Sequence, residues 1–339
     1  MKALIYKLRV LLLSLMVLGV YFPLHAEGEP DYQKERVINK SFGVGSSDWL
    51  VVENKFGNVH VESWDQNRLE VTIKITAWGR SEKEAAKILS EIDVEVNAVT
   101  GEYFFETITP DNTNINKKSG FKVNYDIKIP AENPINIENK YGTSYIDNRT
   151  GITDLYVAYG GLKARKLEGS KTTIKVSYSE AIIEKLTRGS LVARYCSNLF
   201  LGETENLELD NKYSDVEIET VGKLNGSSAY SGVKIEELKR SISLENRYGN
   251  FKIEEVSSSF EEIDVESKYG SVKIEFDSNT SFKFDISTRY GSFDHDLDEY
   301  RLIREIERNT SGEYVGIKGD SNSDKLVHIV SSYGSISLQ

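Results

Sequence analysis

Three aspartates at alternate positions, Asp294, Asp296 and Asp298, with Glu305 eleven residues after the first, have the residue types and rhythm of a calcium loop. Such a loop closes oxygen ligands around a hard cation and turns on a glycine at its sixth place, where this chain has Glu299. In a strand, the same alternation puts all three carboxylates on one outward face. They are the one calcium candidate, and neither a metal nor a cofactor is expected. His295, between them, reads as an inward or edge polar residue. A single cysteine, Cys196, excludes an internal disulfide, and no nearby His or helix terminus would activate its thiol. Four scattered His offer no transition-metal cluster. Acidic residues are spread evenly, and no nucleophile elbow, phosphate-binding glycine loop or metalloprotease helix is present. No catalytic residues are expected.

The chain of 339 residues has 39% hydrophobic and 28% charged residues, with 19 Tyr and 13 Phe, so it is long and apolar enough to fold around a sizeable core. Lys2, Lys7 and Arg9 precede the apolar run Val10 to Phe22, and Ala26 offers a small residue for cleavage, which is the pattern of a secretory signal peptide over residues 1–26. Removing it takes away three positive charges and leaves 39 − 53 = −14, a poor balance for nucleic acid or anionic lipid. No later stretch is apolar enough to cross a bilayer. Export to the periplasm or cell surface is expected.

The dominant signal is a repeat. An aromatic residue followed by a small one recurs at Phe56, Tyr141, Tyr159, Tyr178, Tyr195, Tyr213, Tyr230, Tyr248, Tyr269, Tyr290 and Tyr333, with steps of 17 to 19 residues from Tyr141 to Tyr248 and two of 21 thereafter. Apolar residues stand four and six places before most of these aromatics and three and five places after, which is the period of two of a strand. Each unit therefore reads as two short strands joined through an aromatic corner. The small residue after the aromatic is expected to take a left-handed or bulged turn, where Gly has no Cβ penalty. Cys196 reads as one of these small corner residues.

Units this short cannot bury a core alone, so they must stack. The fold class expected is all-β: a parallel β-solenoid of about 18–21 residues per coil, with the aromatics in a ladder along the rod. Polar residues two before the aromatic, such as Asn54, Asn139, Asn211, Asn246 and Ser267, are inward by parity and read as a hydrogen-bonded ladder. Acidic residues three before and basic residues one before, as in Glu138 with Lys140 and Glu245 with Arg247, read as a charge-matched solvated face.

Phe56 and Tyr141 are 85 residues apart, which leaves room for an inserted module. Ser81 and Glu84 fit a capping box before a helix over 81–92, flanked by strand-like runs. The expected division is 27–48, an exposed segment; 49–130, a first coil plus a small α+β cap; and 131–339, the solenoid, less regular over 277–339. The module's expected role is to cover open strand edges at one end of the rod.

Ile129-Pro130, then Ile135-Asn136-Ile137-Glu138-Asn139-Lys140-Tyr141-Gly142, and later Asn246-Arg247-Tyr248-Gly249-Asn250-Phe251-Lys252-Ile253, resemble the bacterial envelope families labelled putative adhesin, including the head-GIN-domain proteins. The resemblance implies a right-handed β-solenoid on an exported protein. The chain departs from the commoner pattern in its consistent Tyr before the small residue. The expected function is a non-catalytic envelope scaffold whose partner is a protein or glycan; the alternative is a carbohydrate-active solenoid enzyme with carboxylates converging in a groove.

Overall fold

Residues 32–110, 115–295 and 300–339 are described by a computed structural model, without the side chain of His295. Residues 1–26, expected as a signal peptide, lie outside the described residues, as do Asp296 and Asp298. Within them the chain is a parallel β-solenoid. Each coil supplies a strand before its aromatic corner and a strand after it, and equivalent strands of successive coils pair in parallel and in register, as Ile137 does with Leu155 and Leu155 with Ile174. From Glu180 to Arg247 the second bend of the coil stays within continuous strands, Glu180–Arg194, Asn198–Lys212, Val216–Ala229 and Val233–Arg247, which join the two walls of the rod. Inward residues of both walls form one continuous apolar core, from Leu50 and Val59 to Ile329 and Ile336.

The N-terminal end is built from β1 (Tyr32–Gly43), β2 (Trp49–Lys55), β3 (Val59–Trp64), β4 (Arg68–Gly79), α1 (Glu82–Ser90), β5 (Asp93–Val99), β6 (Glu102–Ile108) and β7 (Gly120–Pro130). Ser81 caps the helix by accepting from the Glu84 N–H. One wall ends β3–β7–β4–β1, the last two pairings antiparallel, and the other ends β2–β6–β5. Residues expected as an exposed leader thus include β1, bonded along its length to β4. Fully buried Arg149 fastens the first coil to this end: its guanidinium donates to the Asn133 carbonyl (2.6 Å) and to Ser63 Oγ (3.0 Å). Burial pulls its pKa down to about 10, against the pull of Glu132 and Asp147 in the other direction.

The far end departs from chain order. Leu326–Ser332 lies between Glu262–Lys268 and Phe282–Arg289, parallel to both. Beyond it, Ser311–Lys318 and Tyr300–Arg308 add antiparallel strands to one wall. Both walls at the N-terminal end, and one wall at the far end, therefore finish in antiparallel strands, which interrupt the parallel repeat where another rod could continue it; the other far wall ends on the short parallel strand Phe293–His295.

Candidate functional site

All eleven corner aromatics, not the small residues after them, hold the left-handed backbone conformation, with φ between 51° and 62°. This corrects the expectation of a left-handed glycine. For a bulky residue that conformation costs roughly 1–2 kcal/mol, and here it keeps the parallel ladder intact through the corner. The N–H of Tyr141 donates to Ala158 O (2.9 Å), that of Tyr159 to Ser177 O (3.0 Å) and that of Tyr248 to Lys268 O (2.8 Å). Glycine follows for a separate reason. A Cβ on Gly142 would stand 1.8 Å from Gly57 O, and one on Gly270 1.8 Å from Gly249 O. Four consecutive rungs carry Ser179, Cys196, Ser214 and Ser231 instead, and there Oγ bonds replace the close approach: Ser231 Oγ accepts from Ser214 N (2.8 Å) and Ser214 Oγ from Cys196 N (2.9 Å).

The rings form one column in the spatial order Phe56, Tyr141, Tyr159, Tyr178, Tyr195, Tyr213, Tyr230, Tyr248, Tyr269, Tyr333, Tyr290. Centroids are 4.7–5.1 Å apart and planes within 14° of parallel. Tyr333 takes the place between Tyr269 and Tyr290, an order that the sequence conceals. The ten tyrosines are 44–51% exposed, and among the described residues their hydroxyls bond no other protein group. Phe121 meets Phe56 edge-on at one end (5.6 Å), and Arg289 lies over Tyr290 at the other (5.5 Å). Both outer ring faces are thus occupied.

Under the column, short polar side chains tie five of the corners shut, whereas Val157, Val176 and Ala193 hold the same place below Tyr159, Tyr178 and Tyr195. Buried Asn54, Asn211, Asn246, Ser267 and Ser331 each donate to the carbonyl of the residue three further on, and Asn54 Nδ2 also donates to Asn139 Oδ1 (3.1 Å). Beside it, residues one before the aromatic are basic at seven rungs, Lys55, Lys140, Arg194, Lys212, Arg247, Lys268 and Arg289, and acidic at none. Lys140, Arg247 and Lys268 pair with the acid two places back on their own strand, whereas Asp210 pairs with Arg194 of the adjacent rung. On the opposite flank a shallow hollow of about 660 Å³ runs past Tyr230 and Tyr248, lined by Asp215, Lys234, Asn250 and Lys252 among others.

One carboxylate row escaped the sequence reading. Because β6 joins β2 from a distant part of the chain, Glu106 lies beside Glu53, with Glu138 on Glu53's other side. Partial burial and the charges of Glu138 and Glu106 raise the Glu53 pKa, while Lys140 and Lys55 oppose the shift. The row sits on an open strand face. Of the calcium candidates, Asp294 is exposed on the short strand Phe293–His295. Among the described residues, no three His, Cys, Asp or Glu side chains are grouped to hold a metal, and no helix is long and apolar enough to cross a membrane.

No curated protein matches the chain. Among solved structures, a putative adhesin from Parabacteroides merdae ATCC 43184 is 12% identical, covering 73% of this chain and 99% of its own, with a TM-score of 0.41. A putative adhesin from Bacteroides fragilis NCTC 9343 is 11% identical over 91% and 99%, TM-score 0.32, and a protein described as a putative lipid binding protein from Parabacteroides distasonis ATCC 8503 is 10% identical over 91% and 98%, TM-score 0.35. A family model described as Toastrack DUF4097 matches residues 48–339, from the strand before Phe56 to the last residue of the sequence, and the chain belongs to that family.

Proposed function

We propose that the protein is a non-catalytic, exported scaffold of the cell envelope that makes adhesin-like contacts along its aromatic column, with a protein surface as partner. The observation that carries this reading is the column: ten half-exposed tyrosines in one line whose hydroxyls bond no protein group among the described residues. Stacking covers the ring faces, so solvent meets ring edges and hydroxyls. A pyranose that packs on an aromatic face finds none open, whereas tyrosine contacts through edge and hydroxyl are abundant in protein interfaces. Flanking bases, largely matched by acids, give the strip polar margins suited to an interface rim. Export rests on the leader pattern of residues 1–26, and the division at 48 and 130 on the change from cap to regular coils.

The test pairs activity with binding. Purified protein is screened for polysaccharide cleavage with and without calcium, and on an array of envelope proteins and glycans beside a variant carrying Tyr178→Lys, Tyr213→Lys and Tyr248→Lys. The expected result is no turnover and a protein signal that the variant loses while its circular dichroism is unchanged. Localised sugar cleavage, or a partner signal indifferent to the variant, overturns the reading.

A further inference from the structure

A second surface lies at the other bend of the coil, on the outer face of the wall that precedes the tyrosine corners. There a groove of about 590 Å³ crosses six successive strands, from Thr172–Ser177 to Glu262–Lys268. At the usual strand spacing this is a run of about 24 Å. Two outward columns face it in strict register. One is Thr173, Ser190, Glu208, Asn225, Ser243 and Asp264; the other is Arg188, Asn206, Lys223, Ser241 and Glu262, with Lys171, just before the strand Thr172–Ser177, lining the groove at the Arg188 end. Every member is polar and none is aromatic.

The charges are graded. Lys171 and Arg188 stand together at one end and form no ion pair among the described residues. The middle carries hydroxyls and amides, with Glu208 on one column and Lys223 turned to Glu261 (3.1 Å) on the other. Glu262 and Asp264 close the far end, where Asp264 contacts His328 Nδ1 (2.9 Å). On the floor, Thr172 is 2% exposed and its Oγ1 has no hydrogen-bond partner.

We infer that this groove binds an oligosaccharide carrying a single carboxylate at one end, its acidic sugar against Lys171 and Arg188 and its neutral sugars along Ser190, Asn206, Asn225 and Ser243. The chemistry excludes other occupants. Every floor strand is paired on both sides, so the backbone has no free edge for a peptide to extend. A nucleic acid would bring phosphates along its whole length to Glu208, Glu262 and Asp264. Leu207, Leu224 and Ile242 underlie the groove but are each only 2% exposed, so its floor offers no apolar pocket for side chains or acyl chains. What remains is a regular series of hydroxyl and amide groups, matched by a polymer of hydroxyls, with two unpaired cations matched by one terminal anion. The surface is separate from the tyrosine column, so this inference stands whether or not the column docks a protein.

The experiment uses a panel of short oligosaccharides, each ending in one glucuronic, galacturonic or sialic acid, beside the same chains without the acidic sugar. Binding is followed by titration calorimetry at low salt. The expected result is saturable binding of at least one acidic member, weakened roughly tenfold by Lys171→Ala with Arg188→Ala and by removal of the acidic sugar. Asn206→Ala with Asn225→Ala weakens the acidic and neutral members alike. The triple tyrosine variant binds as the unmodified protein does, which separates failure of this site from failure of the column. No saturable binding by any panel member, or binding that ignores the Lys171 and Arg188 changes, overturns the inference.

Discussion

Replacing Tyr195 by Phe, Gly and Ala in turn tests what the column contributes to stability. Its ring lies 4.9 Å from Tyr178 and 4.7 Å from Tyr213, nearly parallel to both, and is 48% exposed. Phe keeps both stacks and deletes a hydroxyl with no protein partner, so its effect should be within about 0.5 kcal/mol; the column already holds a phenylalanine at Phe56. Ala removes two stacks of about 0.5–1.5 kcal/mol each and the burial of about 100 Å², worth about 2.5 kcal/mol. Because such areas overstate the gain on folding, the net loss should be about 3–5 kcal/mol. Ala also keeps a Cβ at φ 56° and remains strained. Gly loses the same contacts but sheds about 1–2 kcal/mol of strain, against an entropic cost of about 0.5–1 kcal/mol. Gly should therefore be milder than Ala by about 0.5–1 kcal/mol, the reverse of the usual order inside strands. Urea unfolding followed by far-ultraviolet circular dichroism ranks the three. Ala equal to or more stable than Gly would refute the strain argument, and a large loss in Phe would refute the claim that the hydroxyl is free.

Other corners make further expectations. Gly270→Ala should cost about 2–3 kcal/mol, since its Cβ would meet Gly249 O at 1.8 Å between two rungs fixed by backbone bonds; a melting temperature within one degree of the parent's speaks against that. Asn246→Ala leaves the Gly249 carbonyl without its buried donor and should cost about 1–2 kcal/mol, whereas Asn246→Ser, the residue found at the equivalent Ser267, should cost less than half of that in the same unfolding assay. Glu53 holds its proton more tightly folded than unfolded, so its contribution is fully favourable below the ordinary glutamate pKa and fades as pH rises through the raised value. Glu53→Gln should match the parent at pH 4 and be at least as stable at pH 7; a variant clearly less stable at pH 7 shows that Lys140 and Lys55 outweigh the Glu138 and Glu106 repulsion.

The repeat was legible because the rungs solve the same problem with the same residue types: inward apolar residues at two-residue spacing, an aromatic at the corner and, at most rungs, a short polar residue below it. The helix was legible from Ser81 and its apolar face. What escaped was set by partners distant in sequence. The 43-residue step from Tyr290 to Tyr333 announces an interruption, yet nothing in it says that the later coil packs on Tyr269. Glu106 gives no sign of lying beside Glu53, since β6 reaches β2 only through the fold of the cap. The corner glycines misled in a physical way. Glycine usually signals a positive φ, but here the neighbouring aromatic takes that conformation and glycine answers the closeness of the next rung's carbonyl. The polar groove had no consensus residue to reveal it, because its two columns change type at nearly every coil.

The displaced coil bears on how the rod is assembled. Coils up to Val272–Phe276 can be laid down one on another in the order in which they are synthesised, but Phe282–Arg289 cannot dock directly on its predecessor. The place between them, one strand wide, is filled by residues 326–338, which bond on both sides. That segment acts as a keystone: it fills a gap between earlier strands, and losing a dozen residues would leave two facing strand edges bare and sticky.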